Sequence, residues 1–473
     1  MKVLYVASEA VPFIASGGLA DVAGSLPKAL KKNGVECAVV IPFYSGIKEE
    51  YRNKAEYIKN FSVPLGWRNQ YCGLFKYELD GVTYYMLDNE YYFKRSGLYG
   101  FFDDAERFMF YSKAVLEMLL NIDFCPDVIS CNDWQTAMIP VFLNIFYRNV
   151  DKLRFVKTTF TIHNIAYQGR YDLRIAKDIA GIPDRYLSVV EYDGDINMMK
   201  GAIEEADMVT TVSPTYSYEI LDSWFGFGLD RILREKQYKL CGILNGIDTD
   251  VHNPMKDPNI YEKFSAKDLS GKAKNKACLQ KDLGLEVNPN KPIVCIISRL
   301  VAMKGLDLVR YIFDGIMAQG VQFVILGTGD YLYENFFHEM GCKYPGSVAF
   351  RNEFSPALSK KIYASSDMLL MPSKSEPCGL AQMIAVQYGT LPIVRETGGL
   401  CDSIHDMGGE NGNGFTFKTY NAHDMLDAVR RAVNLYNDKP AWQKSVKQAM
   451  HSDFTWDSSA KKYIEMYKRV LEN

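Results

Sequence analysis

Two basic residues, Arg299 and Lys304, lie five positions apart where an apolar segment ends and a helical pattern begins. Residues 293–298 are typical of a buried parallel strand, so both cations would lie at its carboxyl end. There they would converge on one anion, Arg299 as a planar fork and Lys304 as a point charge. Their spacing is also compatible with two solvated surface cations.

A second group of candidates follows two later strands of the same series. Glu376 lies in the loop Pro-Ser-Lys-Ser-Glu-Pro-Cys-Gly-Leu at 372–380, between a predicted strand and an apolar helix. Free backbone donors gather at a helix start, so this carboxylate could orient hydroxyl groups beside a bound phosphate. The alternative is a first-turn carboxylate stabilised by the helix dipole. Thr397-Gly398-Gly399 repeats the strand-then-glycine arrangement one strand later.

The first predicted strand is followed by Ala15-Ser16-Gly17-Gly18, which opens the first helix. Paired glycines let backbone N–H groups approach a phosphate at the helix N-terminus, although a tight strand-to-helix turn would use the same residues. The turn is not Gly-x-Gly-x-x-Gly, and no acidic residue follows at the dinucleotide spacing. Both facts argue against a nicotinamide dehydrogenase.

Asp133 and His163 also follow predicted strands, at residues 128–131 and 158–162. Because parallel strands of one sheet end at the same edge, we expect both side chains to face a single cleft. A lone histidine is otherwise more often a structural residue. No order of Ser, His and Asp or of Cys and His indicates a nucleophilic triad, and Cys378 would be a nucleophile only with a lowered pKa.

The composition is that of a globular protein with a large core, since 48% of the 473 residues are apolar and 23% are charged. The net charge of −3, without basic or acidic blocks, argues against nucleic acid as the main partner and against electrostatic docking on a membrane. The ten cysteines form no metal-binding spacing, so we expect reduced thiols in a cytoplasm and no metal. No signal peptide or membrane span is predicted.

Short apolar runs alternate with helical periods in two series, one from residue 3 and one from about residue 292. We therefore predict an α/β protein with two doubly wound, Rossmann-like domains that face a central cleft. The N-terminal domain would span residues 1–244 and the C-terminal domain 245–457, with a C-terminal helix at 458–473 that could pack back on the N-terminal domain. Residues 45–100 predict an antiparallel insertion.

In order along nearly the whole chain, these motifs resemble those of bacterial and plant glycogen/starch synthases, glycosyltransferase family 5. The resemblance implies the glycosyltransferase-B fold, with an acceptor-binding N-terminal domain and a nucleotide-sugar-binding C-terminal domain. It implies glucose transfer from ADP-glucose to glycogen or a maltooligosaccharide, without a cofactor. The matching segments are residues 2–27, 93–100, 104–108, 132–134, 161–169, 244–248, 298–305, 372–380 and 395–400.

The resemblance also implies a role for each of five catalytic residues. Arg299 and Lys304 would bind the diphosphate and stabilise the leaving group. Glu376 would hold glucose hydroxyls and the distal phosphate. His163 would contact the transferred glucose near its 6-hydroxyl, and Asp133 would line the acceptor side.

Further residues would bind substrate. By the resemblance, Phe354 takes the position of the aromatic residue that lies against the adenine, where stacking tolerates Phe for Tyr. Backbone donors to phosphate and sugar would come from the two glycine turns and from the loop after Glu376, and polar side chains would line the acceptor side. These residues are Glu9, Ser16, Gly17, Gly18, Trp134, Asn164, Asn245, Cys378, Gly379, Leu380, Thr397, Gly398 and Gly399.

Three departures from the family pattern are visible. The family usually has Lys-Thr-Gly-Gly-Leu in the first turn, whereas this chain has Ala15, so a cation expected near the nucleotide phosphates is missing. Asn132 and Gln135 stand where histidines are common, and Ala357 stands where a Glu is common. The first departure concerns donor affinity and nucleotide choice, and the others concern local contacts.

The expected reaction is retaining glucosyl transfer to the 4-hydroxyl at the non-reducing end of an α-1,4-glucan. No carboxylate pair suited to the glycosidase double displacement is evident, which favours front-face attack with the leaving phosphate taking the acceptor proton. Two alternatives stay open: a UDP-glucose-preferring glucosyltransferase, and a glucan-binding homologue that no longer turns over. The missing cation at Ala15 motivates both.

Overall fold

The two α/β series of the sequence form two separate sheets. The computed structural model describes residues 1–472. One unit comprises Met1–Gly246 together with the C-terminal helix that begins at Trp456, and the other comprises Ile247–Thr455.

Strands of the N-terminal unit form a nine-stranded sheet and a small three-stranded sheet. Their bounds are β1 Lys2–Val6, β2 Glu36–Pro42, β3 Glu56–Leu65, β4 Arg68–Leu79, β5 Val82–Asp88, β6 Val128–Asn132, β7 Lys157–Ile162, β8 Arg170–Asp172, β9 Glu191–Tyr192, β10 Asp195–Asn197, β11 Met208–Thr211 and β12 Leu240–Gly242. The order in the large sheet is β12-β11-β7-β6-β1-β2-β5-β4-β3.

Helices connect these strands. Their bounds are α1 Gly18–Lys32, α2 Glu49–Arg52, α3 Glu90–Phe93, α4 Asp104–Asn121, α5 Met138–Phe142, α6 Ile175–Asp178, α7 Leu187–Val190, α8 Met198–Glu205, α9 Pro214–Glu219 and α10 Asp230–Glu235, with a π-helical turn at Leu143–Tyr147. Buried Leu19, Val22, Leu26 and Leu30 line one face of α1. Their spacing of three and four residues makes α1 amphipathic.

The insertion predicted at 45–100 is partly antiparallel. Strands β3 and β4 pair antiparallel at one edge of the large sheet, as predicted. In contrast, β5 pairs parallel with β2 and antiparallel with β4, so it belongs to the central sheet rather than to a separate element. Its buried residues Val82, Tyr84 and Met86 explain this, because they give it a face that packs in the core.

The C-terminal unit contains one six-stranded sheet, with strands β13 Ile293–Ile297, β14 Gln322–Leu326, β15 Val348–Arg351, β16 Met368–Met371, β17 Leu391–Arg395 and β18 Phe415–Phe417. Every pair is parallel, in the order β15-β14-β13-β16-β17-β18. This is the doubly wound order in which the chain reverses direction between the first and fourth strands. The helices are α11 Ser270–Asp282, α12 Leu306–Met317, α13 Tyr331–Lys343, α14 Pro356–Ser365, α15 Ala381–Gln387, α16 Gly398–Ser403, α17 Ala422–Asn437 and α18 Lys439–Ala449.

The C-terminal helix, α19 Trp456–Glu472, packs on α1 of the N-terminal unit. Trp456, Tyr463 and Tyr467 are buried there at a helical spacing, and the Tyr467 hydroxyl donates to Ser130 Oγ at 3.1 Å. The chain thus returns to the sheet on which it began. Within residues 1–472, every helix is too short or too polar to cross a bilayer.

Tyr467 provides a test of this packing. We expect Tyr467→Ala to lower the free energy of unfolding of the N-terminal unit by about 3–5 kcal/mol, because it leaves a cavity under α19. Tyr467→Phe keeps the ring and loses one hydrogen bond, so it should lower the free energy of unfolding by only about 1 kcal/mol. Urea unfolding measures both. Tyr238→Ala, at a side chain that is 72% exposed, is the control, and an equal effect of all three substitutions would contradict the packing.

Candidate active site

In the C-terminal unit, the predicted residues collect where the strand order reverses, between β13 and β16. Arg299 follows β13, and Lys304 ends a 3-10 turn at Ala302–Lys304. Gly305 then has φ +71°, and a Cβ there would lie 1.9 Å from the Pro372 carbonyl oxygen. Only glycine allows this turn to lie so close to the end of β16. Ligands of open α/β sheets bind at such a reversal.

Lys304 and Glu376 form an ion pair. The Lys304 ammonium donates to both carboxylate oxygens, at 2.9 and 2.7 Å, and the Ser373 hydroxyl donates to Glu376 Oε2 at 2.9 Å. Glu376 is only 7% exposed. The pair therefore brings together the predicted phosphate-binding and sugar-binding side chains, and the carboxylate is fixed by three hydrogen bonds.

Arg299 differs from Lys304 in its environment. Its side chain is exposed and has no hydrogen bond or ion pair within residues 1–472. The guanidinium is thus available to an anion without first breaking a protein contact. Phe354, in the loop before α14, is 88% exposed, so the face of its ring is open as well.

The loop after Glu376 lies directly against the second glycine turn. A Cβ on Gly398 would lie 2.1 Å from the Glu376 carbonyl oxygen, and one on Gly399 would lie 2.1 Å from that of Cys378. The Gly399 N–H donates to the carbonyls of Glu376 and Pro377, both at 3.1 Å. Within the turn predicted to supply phosphate donors, this N–H is thus already bonded to the protein.

Two other backbone donors of this loop remain available. Among the described residues, no acceptor lies within hydrogen-bond distance of the N–H groups of Gly379 and Leu380, which precede α15. Consecutive free N–H groups favour anions and oxygen acceptors. Cys378 is buried, and Thr397 and Gly398 begin the turn that supports this loop.

In the N-terminal unit, the carboxyl ends of β1, β6 and β7 carry the predicted polar residues. Glu9 is 3% exposed and accepts a short hydrogen bond from the Ser16 N–H. Burial raises the pKa of Glu9. This bond holds the loop 15–18, whose four residues are exposed. A Cβ on Gly17 would meet no atom within 4 Å, so open space rather than crowding surrounds this glycine.

Asp133 has an unusual backbone, with φ +57°. This conformation is uncommon outside glycine. Its Oδ1 accepts the N–H of His163 at 2.8 Å and that of Asn164 at 3.4 Å. Burial raises the pKa of Asp133 to about 7, although the two backbone N–H groups favour the ionised form. The carboxyl group therefore ties the end of β6 to the end of β7.

His163 Nε2 lies 2.9 Å from Asn132 Oδ1. Burial lowers the pKa of His163 to about 3, so the imidazole is neutral at neutral pH. Asn132 was recorded from the sequence only as a departure from the family pattern, and its contact with His163 was missed. The signal available was its position as the last residue of β6, beside β7, which ends one residue before His163.

The remaining predicted residues of this unit have different surroundings. Trp134 is 8% exposed and packs edge-on against Phe108, with ring centroids 5.1 Å apart, so it supports the core under the site. Asn164 Oδ1 accepts the N–H of Ala166 at 3.0 Å. Asn245 is 5% exposed, and its Oδ1 has no hydrogen-bond partner in the described part of the chain. A buried acceptor without a partner favours a polar ligand.

No set of three His, Cys, Asp or Glu side chains within residues 1–472 is arranged to hold a metal ion. The charged and polar groups of the two units are instead suited to a phosphorylated sugar and to hydroxyl groups. Cationic side chains and free N–H groups end the strands of the C-terminal sheet. Neutral or weakly acidic side chains end those of the N-terminal sheet.

Comparisons with known proteins agree with this description. The profile of the starch synthase catalytic domain matches residues 2–235, and that of glycosyl transferases group 1 matches residues 282–449. The catalytic domain of starch synthase IV from Arabidopsis thaliana, bound to ADP and acarbose, is 34% identical, with a TM-score of 0.91 over 100% of this chain and 99% of that one. Sucrose-phosphate synthase from Thermosynechococcus elongatus, 15% identical with a TM-score of 0.61 over 100% and 99% of the two chains, shares the fold.

The fold and these matches define a hexosyltransferase of the glycosyltransferase-B class, as predicted. The glycogen synthase of Bacillus cereus is 48% identical, and that of Clostridium acetobutylicum is 49% identical, each over 100% of both chains. The chain belongs to the glycogen and starch synthase family, which confirms the predicted resemblance.

The close approach of Gly399 to Cys378 can be tested by adding one methyl group. We expect Gly399→Ala to lower the free energy of unfolding of the C-terminal unit by about 1–3 kcal/mol, because the two loops must move apart. Gly341→Ala is the matched control. Its Cβ would meet nothing within 4 Å in α13, so it should be neutral or stabilise by about 0.5–1 kcal/mol. Equal effects in urea unfolding would contradict the close contact.

The raised pKa of Asp133 predicts a pH-dependent stability. An unfolded aspartate has a pKa near 4, whereas the native pKa is about 7, so the native state binds the proton more tightly. Ionisation therefore destabilises the native state as the pH rises from about 4 through about 7. Asp133→Asn cannot ionise, and it should be more stable than the wild type at about pH 8 but not at about pH 4.

Urea unfolding at the two pH values measures this difference. Asp193→Asn is the matched control, because Asp193 also has a positive φ, +52°, but is exposed. A gain in stability that is the same at both pH values, or that appears equally in the control, would show that ionisation of Asp133 is not its cause.

Proposed function

We propose that the chain is a glycogen synthase that transfers glucose from ADP-glucose, with retention, to the non-reducing 4-hydroxyl of an α-1,4-glucan. The full-length similarity to glycogen synthases supports this proposal. The structural observation that carries it is the cluster at the reversal of the C-terminal sheet. There, Lys304 and exposed Arg299 both follow β13, and Lys304 pairs with Glu376 in the loop after the neighbouring strand β16, which also carries the two free N–H groups.

The C-terminal cluster suits a nucleoside diphosphoglucose. Arg299 would bind the diphosphate through its planar fork and Lys304 through its charge. Glu376, which is fixed by Ser373 and Lys304, would accept hydrogen bonds from glucose hydroxyls. The free N–H groups of Gly379 and Leu380 would add donors to a phosphate or hydroxyl oxygen. The exposed ring of Phe354 would lie against the adenine, since base stacking needs only an open aromatic face.

The N-terminal group suits sugar hydroxyls. Neutral His163, Asp133 with its raised pKa, buried Glu9 and the unpartnered Asn245 offer acceptors without a concentration of charge. Residues 15–18 would add backbone donors beside them. We propose that glycogen or a maltooligosaccharide is the acceptor, and we place the protein in the cytoplasm, where its ten cysteines would stay reduced.

The reaction follows from these roles. The bond between the anomeric carbon and the diphosphate breaks, and the glucosyl ring becomes oxocarbenium-like. The acceptor 4-hydroxyl attacks the same face, and its proton passes to the departing phosphate oxygen, so the configuration is retained. Arg299 and Lys304 stabilise the charge that develops on the leaving group, and a single electrostatic contact of this kind is worth about 3–4 kcal/mol. Closure around the reactants would exclude water and limit hydrolysis of the donor.

A second candidate differs in the donor. Ala15 is an exposed methyl group where the family usually has a lysine, so the N-terminal loop contributes no charge toward nucleotide phosphates. Without that charge, the protein would select its donor less strongly, so it would use UDP-glucose as well as ADP-glucose or better. The third candidate, a glucan-binding protein without turnover, follows from the same substitution.

One assay separates the three candidates. Release of nucleoside diphosphate is measured with ADP-glucose and with UDP-glucose, each with and without glycogen. Glucan-dependent release of ADP with growth of α-1,4 chains is the expected result. Release from UDP-glucose alone would change the donor and keep the mechanism. Glucan binding without release from either donor would overturn the proposal.

The leaving-group assignment predicts the effect of two substitutions. Arg299→Ala and Lys304→Ala should each lower kcat by about 10²–10³, because each removes a charge from the departing diphosphate. Arg310→Ala, at an exposed arginine on α12, is the matched control and should leave kcat unchanged. Steady-state rates at saturating donor make the comparison, and a near-normal kcat in both Arg299→Ala and Lys304→Ala would contradict the assignment.

A further inference from the structure

The hydrogen bonds around Asn132 determine which nitrogen of His163 carries a proton. Asn132 is completely buried. Its amide Nδ2 donates to two backbone carbonyls, that of Val6 at 3.0 Å and that of Ser130 at 3.1 Å. Turning the amide over would place its oxygen against both carbonyl oxygens. The orientation is therefore fixed, and Oδ1 is an acceptor.

Two groups donate to this oxygen. The hydroxyl of Tyr5, which is 1% exposed, donates to Asn132 Oδ1 at 2.9 Å. His163 Nε2 lies at the same distance, 2.9 Å. An amide oxygen has no proton to give, so Nε2 must carry one. In a neutral imidazole the lone pair is then on Nδ1, and burial keeps the ring neutral by lowering the pKa of His163 to about 3.

The backbone around the ring is fixed too. Asn132 and Thr161 are register partners on the parallel strands β6 and β7. The His163 N–H donates to Asp133 Oδ1 at 2.8 Å. These contacts leave one free group on the ring, because Nδ1 has no hydrogen-bond partner within residues 1–472.

We propose that Asn132 is a positioning residue that holds His163 as the neutral Nε2–H tautomer, so that Nδ1 accepts a hydrogen bond from a hydroxyl of the donor glucose. The reaction needs a neutral acceptor here, because an imidazolium would donate at Nδ1 and would place a positive charge near a glucosyl group that becomes positive. An asparagine meets this need in a way that an ionisable residue does not, since it neither gives nor takes a proton. The proposal rests on the glucosyl-transfer function given above.

The tautomer can be measured without turnover. Protein labelled with ¹⁵N-histidine is studied by NMR at neutral pH, and the His163 signals are identified by their loss in His163→Asn. We expect a protonated Nε2 and an unprotonated Nδ1. A protonated Nδ1 in the wild type would overturn the proposal, whatever the activity of the protein.

Asn132→Asp tests the consequence for the reaction. An aspartate at this position keeps the shape of the amide, but its second oxygen replaces the Nδ2 donor and faces the carbonyls of Val6 and Ser130. The network that fixes the amide is then lost, so His163 should no longer be held as the single Nε2–H tautomer. We expect kcat/KM for ADP-glucose to fall by at least about tenfold, the effect of losing one hydrogen bond in the transition state. With a donor that lacks the 6-hydroxyl, kcat/KM should fall much less. Neither the wild type nor Asn132→Asp can form this hydrogen bond with that donor.

Asn197→Asp is the matched control, because Asn197 is also completely buried in the N-terminal unit and does not contact His163. It should change neither the His163 signals nor the ratio of the kcat/KM values for the two donors. Unchanged kcat/KM in Asn132→Asp although the His163 protonation has changed, or equal losses with both donors, would overturn the role of Asn132. Lack of transfer by the wild type from any nucleoside diphosphoglucose would instead overturn the proposed function, while the NMR measurement would still decide the tautomer.

Discussion

Parallel strand pairing is the constraint on which the candidate residues of each unit depend. Parallel strands that are joined by helices all end at one edge, and the point where the strand order reverses leaves room for a ligand. In the C-terminal unit, β13 pairs with β16 and β16 with β17. Residues that are far apart in the chain therefore meet at the ends of these strands, and the glycines at 305, 398 and 399 let the following loops lie against one another.

The edge where the parallel strands end has a different electrostatic character in each unit. In the C-terminal unit, the charge of Lys304 is held against Glu376, and Arg299 stays exposed. In the N-terminal unit, burial keeps His163 neutral and raises the pKa of Asp133 to about 7. A leaving diphosphate needs fixed positive charge, whereas sugar hydroxyls need acceptors and donors that do not repel a developing cation. The division of charge agrees with the proposed glucosyl transfer.

Much of this arrangement could be predicted from the sequence, because it is encoded locally. Apolar runs and helical periods predicted the strands and α1, and the motifs identified the family. Contacts across strands could not be predicted. Lys304 and Glu376 are 72 residues apart and His163 and Asn132 are 31 apart, and no local pattern indicates that they meet. The acceptors of the Gly399 N–H likewise lie in a different loop.

The departures from the family pattern do not all carry the same weight. With Ala15 in place of the usual lysine, an exposed loop lacks one charge, and only groups that contact this loop are affected. Asn132 lies at the centre of a buried network in which four hydrogen bonds determine one another. A non-titrating residue at such a position accepts the Nε2 proton in a hydrogen bond without removing it. Under the proposed function, the residue at this position thus decides whether His163 accepts a hydrogen bond from a sugar hydroxyl or donates one.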